Sequence, residues 1–586
     1  MEELKFKTIY DLIKHIETNY SSKQAFNFYD NNVWHSLSTE EFIYDLKRLT
    51  YGLISLGVKK GDHVGIMASP SPNWSMADLA IIMAGGITVP LFSNISDENF
   101  IYEVAQADVR YLFVDGTEQQ EMFRRHRNLF DYVIALSHRQ VIRGTQELHE
   151  VQKIGEAYWR ERPELFETLG NQLKTDETMT IVYTSGSTGV PKGVMLSHEN
   201  LMHLANFNSF RLSSNKDIYL SILPLAHVFS RQINFIMMAM GIDIFYLNEM
   251  SLLSKICQEL RPSFMIVVPR ILEKMYAAIL SGADTGGRLH KKILFWSFEY
   301  ADHGENSWLS RTIIRPWIDW FVFSHIRKAM GGNWKVILCG GAALDPKVYQ
   351  FLLNIGLPIY EGWGLTEAST GVVNQPGKIK VGTVGVPLPG IEVKVGKGGE
   401  LLIRGPTVMQ GYFRNAEITK ESLDEEKWLH TADKGEIDAE GFVKIVGRIK
   451  EHVKLATGEW LAPGRMEYAL CESPLIDAAV VIGERKKFAS CLLFPDVTVL
   501  RRMKAKLNYV DMSDQDFMES EVATKEIKSL IESVNSNINN WEKIQKYRII
   551  MEPLTLENGE LTPTLKIRRD VVINKYQDLV KDMYGE

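Results

Sequence analysis

The residues best equipped for chemistry are ten in a row, Thr184-Ser-Gly-Ser-Thr-Gly-Val-Pro-Lys-Gly193. Gly186, Gly189 and Gly193 let the backbone turn tightly and come close to an anion. The hydroxyls of Thr184, Ser185, Ser187 and Thr188 can donate to phosphate oxygens, and Lys192 adds a positive charge on a flexible stem. The pattern G-x-x-x-x-G-K-[ST] cannot be laid over the run, which sets aside a P-loop kinase. Apolar stretches at 179–183 and 194–196 read as strands on either side, so the run is a loop held at both ends and not a Gly/Ser linker. A second segment, Glu361-Gly-Trp-Gly-Leu-Thr-Glu367, nearly matches G-x-G-x-x-G but ends on Glu367. A carboxylate there would repel a pyrophosphate and disfavours a dinucleotide site. Next to a phosphate loop it suits Mg²⁺, which takes few protein carboxylates and completes its shell with phosphate oxygens and water. Trp363 suits stacking on a base, although by itself the segment reads as a glycine-rich turn.

The elements that must position these residues read as α/β. An amphipathic stretch at 45–56, a buried strand at 63–67, a helix at 76–83 and a strand at 87–91 alternate as in parallel sheets with helical crossovers. At 335–338 a strand precedes Gly340-Gly341; Asp345 and Pro346 then provide an N-cap and a first-position proline for a helix at 347–353. Gly356 ends that helix, the next strand is 358–360, and Glu361–Glu367 follows at its carboxyl end, where ligands of open α/β sheets gather. From 382 to 446 short β runs at 391–395, 400–404 and 442–446 suggest a small, mostly antiparallel, β-barrel-like unit. The expected organisation is an N-terminal domain over 1–447, its β-rich part at about 380–447, followed by a smaller α/β domain over 448–586.

Composition narrows the function classes. With 586 residues, 45% of them hydrophobic, a large core needs no covalent staples. A formal net charge of −7 argues against a nucleic-acid footprint. Cys257, Cys339, Cys471 and Cys491 form no C-x-x-C pair and read as buried thiols of a reducing compartment. The acidic start of the chain does not resemble a signal peptide, and the apolar stretches near 79–92 and 235–247 are too short to span a bilayer. A cytoplasmic protein is expected.

Taken together, Tyr183–Gly193, Tyr360–Glu367, Thr431-Ala-Asp433, Gly447-Arg-Ile-Lys450 and Leu561-Thr-Pro-Thr-Leu-Lys566 stand in the order and spacing of one family. From about Tyr51 to Arg569 the chain resembles the AMP-forming adenylating enzymes: acyl-CoA synthetases, luciferases and peptide-synthetase adenylation domains. The resemblance implies that Thr184, Ser185, Gly186, Ser187, Thr188, Gly189 and Lys192 form the loop holding the β- and γ-phosphates of ATP. Gly340, Gly341, Ala342, Glu361, Gly362, Trp363, Gly364 and Leu365 would border the nucleotide, and Thr366 would touch the α-phosphate. Glu367, with Thr184, would hold Mg²⁺. Asp433 would accept from the ribose hydroxyls, with Arg448 nearby. Lys566 falls where the family has its catalytic lysine, but Thr564-Leu565 precedes it where Ser-Gly is commoner, a form that resembles long-chain members. Lys450 would be the hinge between two half-reactions, and Lys454–Trp460, including Gly458, the loop that then lines the thiol's tunnel.

The reaction so implied joins a fatty carboxylate to ATP, giving acyl-AMP and pyrophosphate, then transfers the acyl group to a thiol. Two anions must meet, so Mg²⁺ and lysines have to neutralise charge as it builds on the α-phosphate. Ser221-Ile-Leu-Pro-Leu-Ala-His-Val-Phe-Ser-Arg231 resembles the acyl-pocket segment of long-chain ligases, which nominates His227 and Phe229. Met237 stands in a methionine-rich continuation whose thioethers suit a tunnel that adapts to its contents, core filling being the commoner use. Coenzyme A is the expected acceptor, with holo acyl carrier protein as the alternative. The basic clusters Arg485-Lys486-Lys487 and Arg501-Arg502-Met-Lys504 suit either one. At 308–330, tryptophans interleaved with Arg and Lys suit peripheral contact at the inner face of a membrane, a packed helix with solvated charges being the commoner reading, and Pro316 should kink or split any helix there. A homo-oligomer is one reading of the assembly. An inactive nucleotide or lipid sensor is disfavoured because Glu367, Asp433 and Lys566 are all present.

Overall fold

The computed structural model describes residues 5–136, 144–185, 190–214, 216–284, 294, 296–298, 300–301, 314–449, 453–471, 473–536, 538–555, 558–561 and 567–585. The chain divides into two compact units: residues 1–397, 401–431 and 436–445 form one, and 398–400, 432–435 and 446–586 the other.

The larger unit is organised by two big sheets. One has eight strands, in the order 411–412, 191–197, 178–185, 87–91, 63–67, 111–114, 132–135 and 146–147. The nine-stranded sheet runs 386–387, 369–373, 359–365, 336–339, 264–267, 218–221, 243–246, 26–30 and 33–37. Their central strands are parallel, short and buried, as continuous apolar runs require when both faces are covered. The strands expected at 63–67 and 87–91 occupy those residues. Pro90 is tolerated inside its strand because the ladder to the neighbouring 178–185 is limited to Thr88↔Thr180.

Two helices join the sheets. α1 (Pro72–Met83) starts at a Ser71 N-cap with Pro72 in its first turn, and 11 of its 12 residues are buried. A helix apolar on all sides belongs between layers. Asp78 on α1 accepts from Thr88 in the eight-stranded sheet, at 2.8 Å, and Ser75 pairs with Tyr246 in the nine-stranded one, also at 2.8 Å. Next come β1 (Thr178–Ser185), β2 (Pro191–Ser197) and α2 (Val228–Ala239). α2 carries four buried polar side chains in a row broken only by Ile233: Ser230, Arg231, Gln232 and Asn234. Arg231 pairs with Asp78 and donates to Thr180 on β1 at 2.6 Å, and Asn234 bonds to Ser75 and Tyr246.

β3 (Val336–Cys339) leads through Gly340 and Gly341 to α3 (Pro346–Asn354), whose first turn is capped by the Asp345 carboxylate accepting from the Lys347 and Val348 N–H groups. Gly356, at φ 83°, closes that helix as expected. β4 (Ile359–Leu365) departs from expectation. The segment Glu361–Leu365 is not a glycine-rich turn: the strand continues through it and pairs antiparallel with β5 (Ser369–Val373). Further on, Glu392–Val395, Glu400–Arg404, Leu429–Ile437 and Val443–Arg448 make a four-stranded sheet.

The smaller unit holds a three-stranded sheet of 476–482, 489–495 and 544–549, covered by helices that include Pro463–Cys471 and Glu521–Ser536. A hairpin, Val453–Lys454 with Trp460–Leu461, precedes it.

The stretch 308–330 is described from 314 onward. Pro316 lies in the four-residue helix Arg315–Ile318, which has π-helical backbone on both sides, at Ile314 and at Asp319–Phe323, an interruption of the kind expected at a proline. The second π-helical stretch leads into the helix Ser324–Ala329. Arg315 and Arg327 turn inward: Arg315 donates to the Asn354 carbonyl, and Arg327 grips both oxygens of Asp319 and the Ile355 carbonyl. Trp317, Trp320 and Phe321 are exposed. Among the described residues no helix is long and apolar enough to cross a membrane. Cys257, Cys339 and Cys491 are buried free thiols, while Cys471 is half-buried.

Candidate active site

β1 and β2 form an antiparallel hairpin in which Thr184 faces Lys192 and Ser185 faces Pro191. Each strand runs further toward the loop than its apolar core suggests, so Thr184 and Lys192 are part of the sheet's end. Gly186, Ser187, Thr188 and Gly189 lie outside the described residues. At Gly193 a Cβ would sit 2.8 Å from the Ile181 methyl and 3.3 Å from the Tyr183 ring, a closeness that requires glycine.

Glu367 stands in the tight connection between β4 and β5. The register shifts between Trp363 and Gly364, and a Cβ on Gly364 would lie 2.0 Å from the Ser369 carbonyl oxygen. Ser369 takes the left-handed backbone at φ 51°. This crowded turn presents Thr366 and Glu367 at the strand's end. The last strand of the eight-stranded sheet, β6 (Gly411–Tyr412), reaches this turn. Met409 N–H donates to the Glu367 carbonyl at 2.8 Å, and the Tyr412 hydroxyl donates to Glu367 Oε1 at 2.8 Å. Lys192 Nζ lies 5.5 Å from the centre of the Tyr412 ring. Burial, followed by the Glu367 charge, drives the Tyr412 phenol well above its ordinary range, so it stays a donor. Trp363 is buried in the main core.

The loop after β3 meets the acyl-pocket helix. A Cβ on Gly340 would touch the Phe229 ring at 3.4 Å and the Gly362 carbonyl oxygen at 3.5 Å. The side chain nominated for the acyl pocket therefore lies against Gly340, and Gly340 in turn lies beside the Gly362 carbonyl. Gly341 needs its positive φ of 87°, and Leu344 N–H donates to Glu361 Oε1 at 3.0 Å. Burial pushes the Glu361 carboxyl up to about 7, partly offset by that N–H. Ala342 stands between them in the same loop. His227 caps α2: its Nδ1 accepts from Phe229 N–H at 3.2 Å. Met237 is buried in the core.

In the smaller unit, Asp433 is nearly buried and pairs with Arg448 Nε at 3.1 Å. Lys454 belongs to the 453–461 hairpin, with Gly458 at φ 100° in its turn. The basic cluster 485–487 is bonded to that hairpin, Arg485 N–H to the Lys454 carbonyl at 2.8 Å and Ala456 N–H to the Lys486 carbonyl at 2.9 Å. Lys566 and Lys450 fall outside the described residues. The flanks of Lys566 are tied, Leu561 bridging to Ile567 and Arg568 N–H bonding the Glu560 carbonyl at 2.7 Å.

The sequence matches the family described as AMP-binding enzyme over residues 14–413, and that family's C-terminal domain over 450–586. The chain belongs to the AMP-binding enzyme family. Long-chain-fatty-acid–CoA ligase FadD15 of Mycobacterium tuberculosis is 32% identical over 571 residues, covering 95% of this chain and 93% of its own. Long chain acyl-CoA synthetase 4 of Arabidopsis thaliana is 31% identical, covering 94% of this chain and 87% of its own. Among solved structures, the A domain of carboxylic acid reductase from Segniliparus rugosus, in complex with AMP and a co-purified carboxylic acid, superposes with a TM-score of 0.71 at 18% identity, covering 99% of this chain and 94% of that one. The o-succinylbenzoate CoA synthetase of Bacillus subtilis, in complex with its acyl-adenylate intermediate, gives 0.67 at 18% identity, covering 95% and 96%.

In this AMP-binding enzyme, sequence reasoning passed over two residues that the structure brings to the site. Tyr412 sits in a two-residue strand with no periodic pattern. Arg231 closes the pocket segment, but its partner Asp78 is 153 residues away.

Proposed function

We propose that the chain is an AMP-forming fatty acid–CoA ligase: fatty acid and ATP-Mg²⁺ give acyl-AMP and pyrophosphate, and coenzyme A then takes the acyl group and releases AMP. The observation that carries this reading is the approach of Phe229, at the start of α2, to Gly340 in the loop after β3, beside the Gly362 carbonyl on β4. An apolar chain lying along α2 would end its carboxylate where the α-phosphate arrives. The names of the two relatives support the fatty acid and the coenzyme A.

In this reading Thr184, Ser185 and Lys192, with the loop between Ser185 and Lys192, hold the β- and γ-phosphates. Thr366 touches the α-phosphate, and the 340–342 and 361–365 segments border the adenine. Asp433 holds the ribose, with Arg448 orienting its carboxylate. Mg²⁺ takes hard oxygen donors and few carboxylates. Glu367, with one oxygen occupied by Tyr412 and a second beyond it, and the Thr184 hydroxyl fit that demand. When bound, the ion neutralises the triphosphate so that the carboxylate can approach. Lys566 neutralises charge building on the α-phosphate during adenylation, and Lys450 and the Lys454–Trp460 hairpin serve the thiol step.

The test offers ATP, Mg²⁺ and fatty acids of graded length together with coenzyme A and holo acyl carrier protein, and reads thioesters by mass spectrometry. Acyl-coenzyme A with AMP is the expected product. Acylated carrier protein alone would replace the acceptor, and no thioester from either would overturn the reading. Lys566→Ala should nearly abolish acyl-AMP formation yet leave thioester formation from supplied acyl-AMP; equal loss of both steps would remove the role given to Lys566.

A further inference from the structure

Tyr412 touches both charged groups on which the phosphate end of the site depends, and its position is set from several directions. Its backbone pairs with Val194 on β2, two residues beyond Lys192. Its N–H donates to Thr419 Oγ1 at 2.9 Å, and Phe413 N–H bonds the Gly193 carbonyl at 2.7 Å. Gly411 lets this strand pass Thr419, whose methyl would lie 2.8 Å from a Cβ there. On the other side, the Met409 N–H holds the Glu367 backbone. Both ends of the Tyr412–Glu367 hydrogen bond are thus anchored through the main chain of one short segment, 409–413, which is also sewn to the phosphate hairpin. The residue is 8% exposed, and a hydrogen bond from its hydroxyl to a carboxylate is charge-assisted and therefore strong.

We propose that Tyr412 is a positioning residue: its hydroxyl holds Oε1 of Glu367 so that Oε2 is the oxygen left for a divalent cation, while its ring face carries the Lys192 ammonium. This rests on the reading of Glu367 as a metal ligand. A carboxylate free to rotate would have to be ordered each time ATP-Mg²⁺ enters; one held by a buried phenol is ordered beforehand. Lys192, lying 5.5 Å from the ring centre, is likewise confined before a phosphate arrives. One side chain in this way couples the cation that meets the phosphates to the anion that meets the metal.

The full-length protein without fatty acid is titrated with Mn²⁺ in the presence of ATP, free Mn²⁺ being read by electron paramagnetic resonance, and ATP binding without divalent ion is measured by calorimetry. Tyr412→Phe keeps the ring and removes the hydroxyl. It should weaken Mn²⁺ binding about tenfold, as loss of a ligand's outer partner does, and leave metal-free ATP affinity unchanged. Tyr412→Leu should also weaken metal-free ATP binding, because Lys192 loses its support; equality of the two variants there would overturn the ring's part. Glu367→Gln separates the two claims. If it weakens Mn²⁺ binding while Tyr412→Phe binds like the parent, the positioning role is overturned and the ligand reading stands. If Glu367→Gln binds like the parent, the ligand reading falls and this inference with it. Should Tyr412→Phe melt early, Thr419→Val, which loosens the Tyr412 backbone and keeps its hydroxyl, should shift Mn²⁺ affinity in the same direction by less; no shift would count against the proposal.

Discussion

The Arg231 guanidinium grips both carboxylate oxygens of Asp78, with each side chain 1% exposed. The pair ties α2, which bears the acyl-pocket residues, to α1 between the sheets, and Arg231 Nη1 extends the tie to Thr180 on β1. A charge this deep is tolerated only because its partner is there. Asp78→Asn or Arg231→Met alone should therefore destabilise the larger unit by about 3–5 kcal/mol, whereas replacing both by apolar residues should be far milder. Thermal unfolding followed for each variant checks this; a double variant worse than the sum of the singles would contradict it.

Glu103 makes stability depend on pH. It lies on the helix Asp97–Gln106, buried near Tyr183 of β1, and burial pushes its carboxyl up to about 8. A carboxyl raised in the folded state contributes its full stability below about pH 4.5 and loses it as pH rises through about 8, at up to about 1.4 kcal/mol per pH unit. Glu103→Gln, which mimics the protonated form, should melt higher than the parent at pH 8 and close to it at pH 5. Parallel melting curves across that range would refute the assignment.

Chain-length preference should follow α2, which bears Phe229 and Met237. Each two methylenes buried along it should lower KM by more than about tenfold until the tunnel ends, after which the gain stops. A series of saturated acids of increasing length, assayed for KM, gives the break point. A flat series would mean that the acyl chain stays in water.

The Arg485–Lys487 turn, bonded to the 453–461 hairpin, should attract the phosphates of coenzyme A. Replacing Arg485 by Asn, which tolerates the left-handed backbone at φ 56°, and both lysines by Ser should raise KM for coenzyme A about fivefold and leave acyl-AMP formation intact. High salt should produce a similar loss in the parent. An unchanged KM would make the cluster an ordinary solvated surface.

What the sequence determined was local or compositional. Strands at 63–67, 87–91 and 400–404 stand where apolar runs between turn residues put them, and Asp345, Pro346 and Gly356 bracket their helix, because these preferences depend on neighbours a few residues apart. The ordered motifs likewise sufficed to name the family. The tertiary structure decided the rest. Gly362 and Gly364 looked like turn formers, but the pairing with β5 keeps them extended, and their lack of a side chain serves close approach instead of bending. His227 became a helix cap only because α2 starts after it. The contacts of Glu361, Glu367 and Arg231 join residues brought together by sheet order, across 17, 45 and 153 positions. No periodicity encodes such pairs: a buried charge takes whatever partner the packed layers deliver to it, and that delivery exists only once the chain has folded.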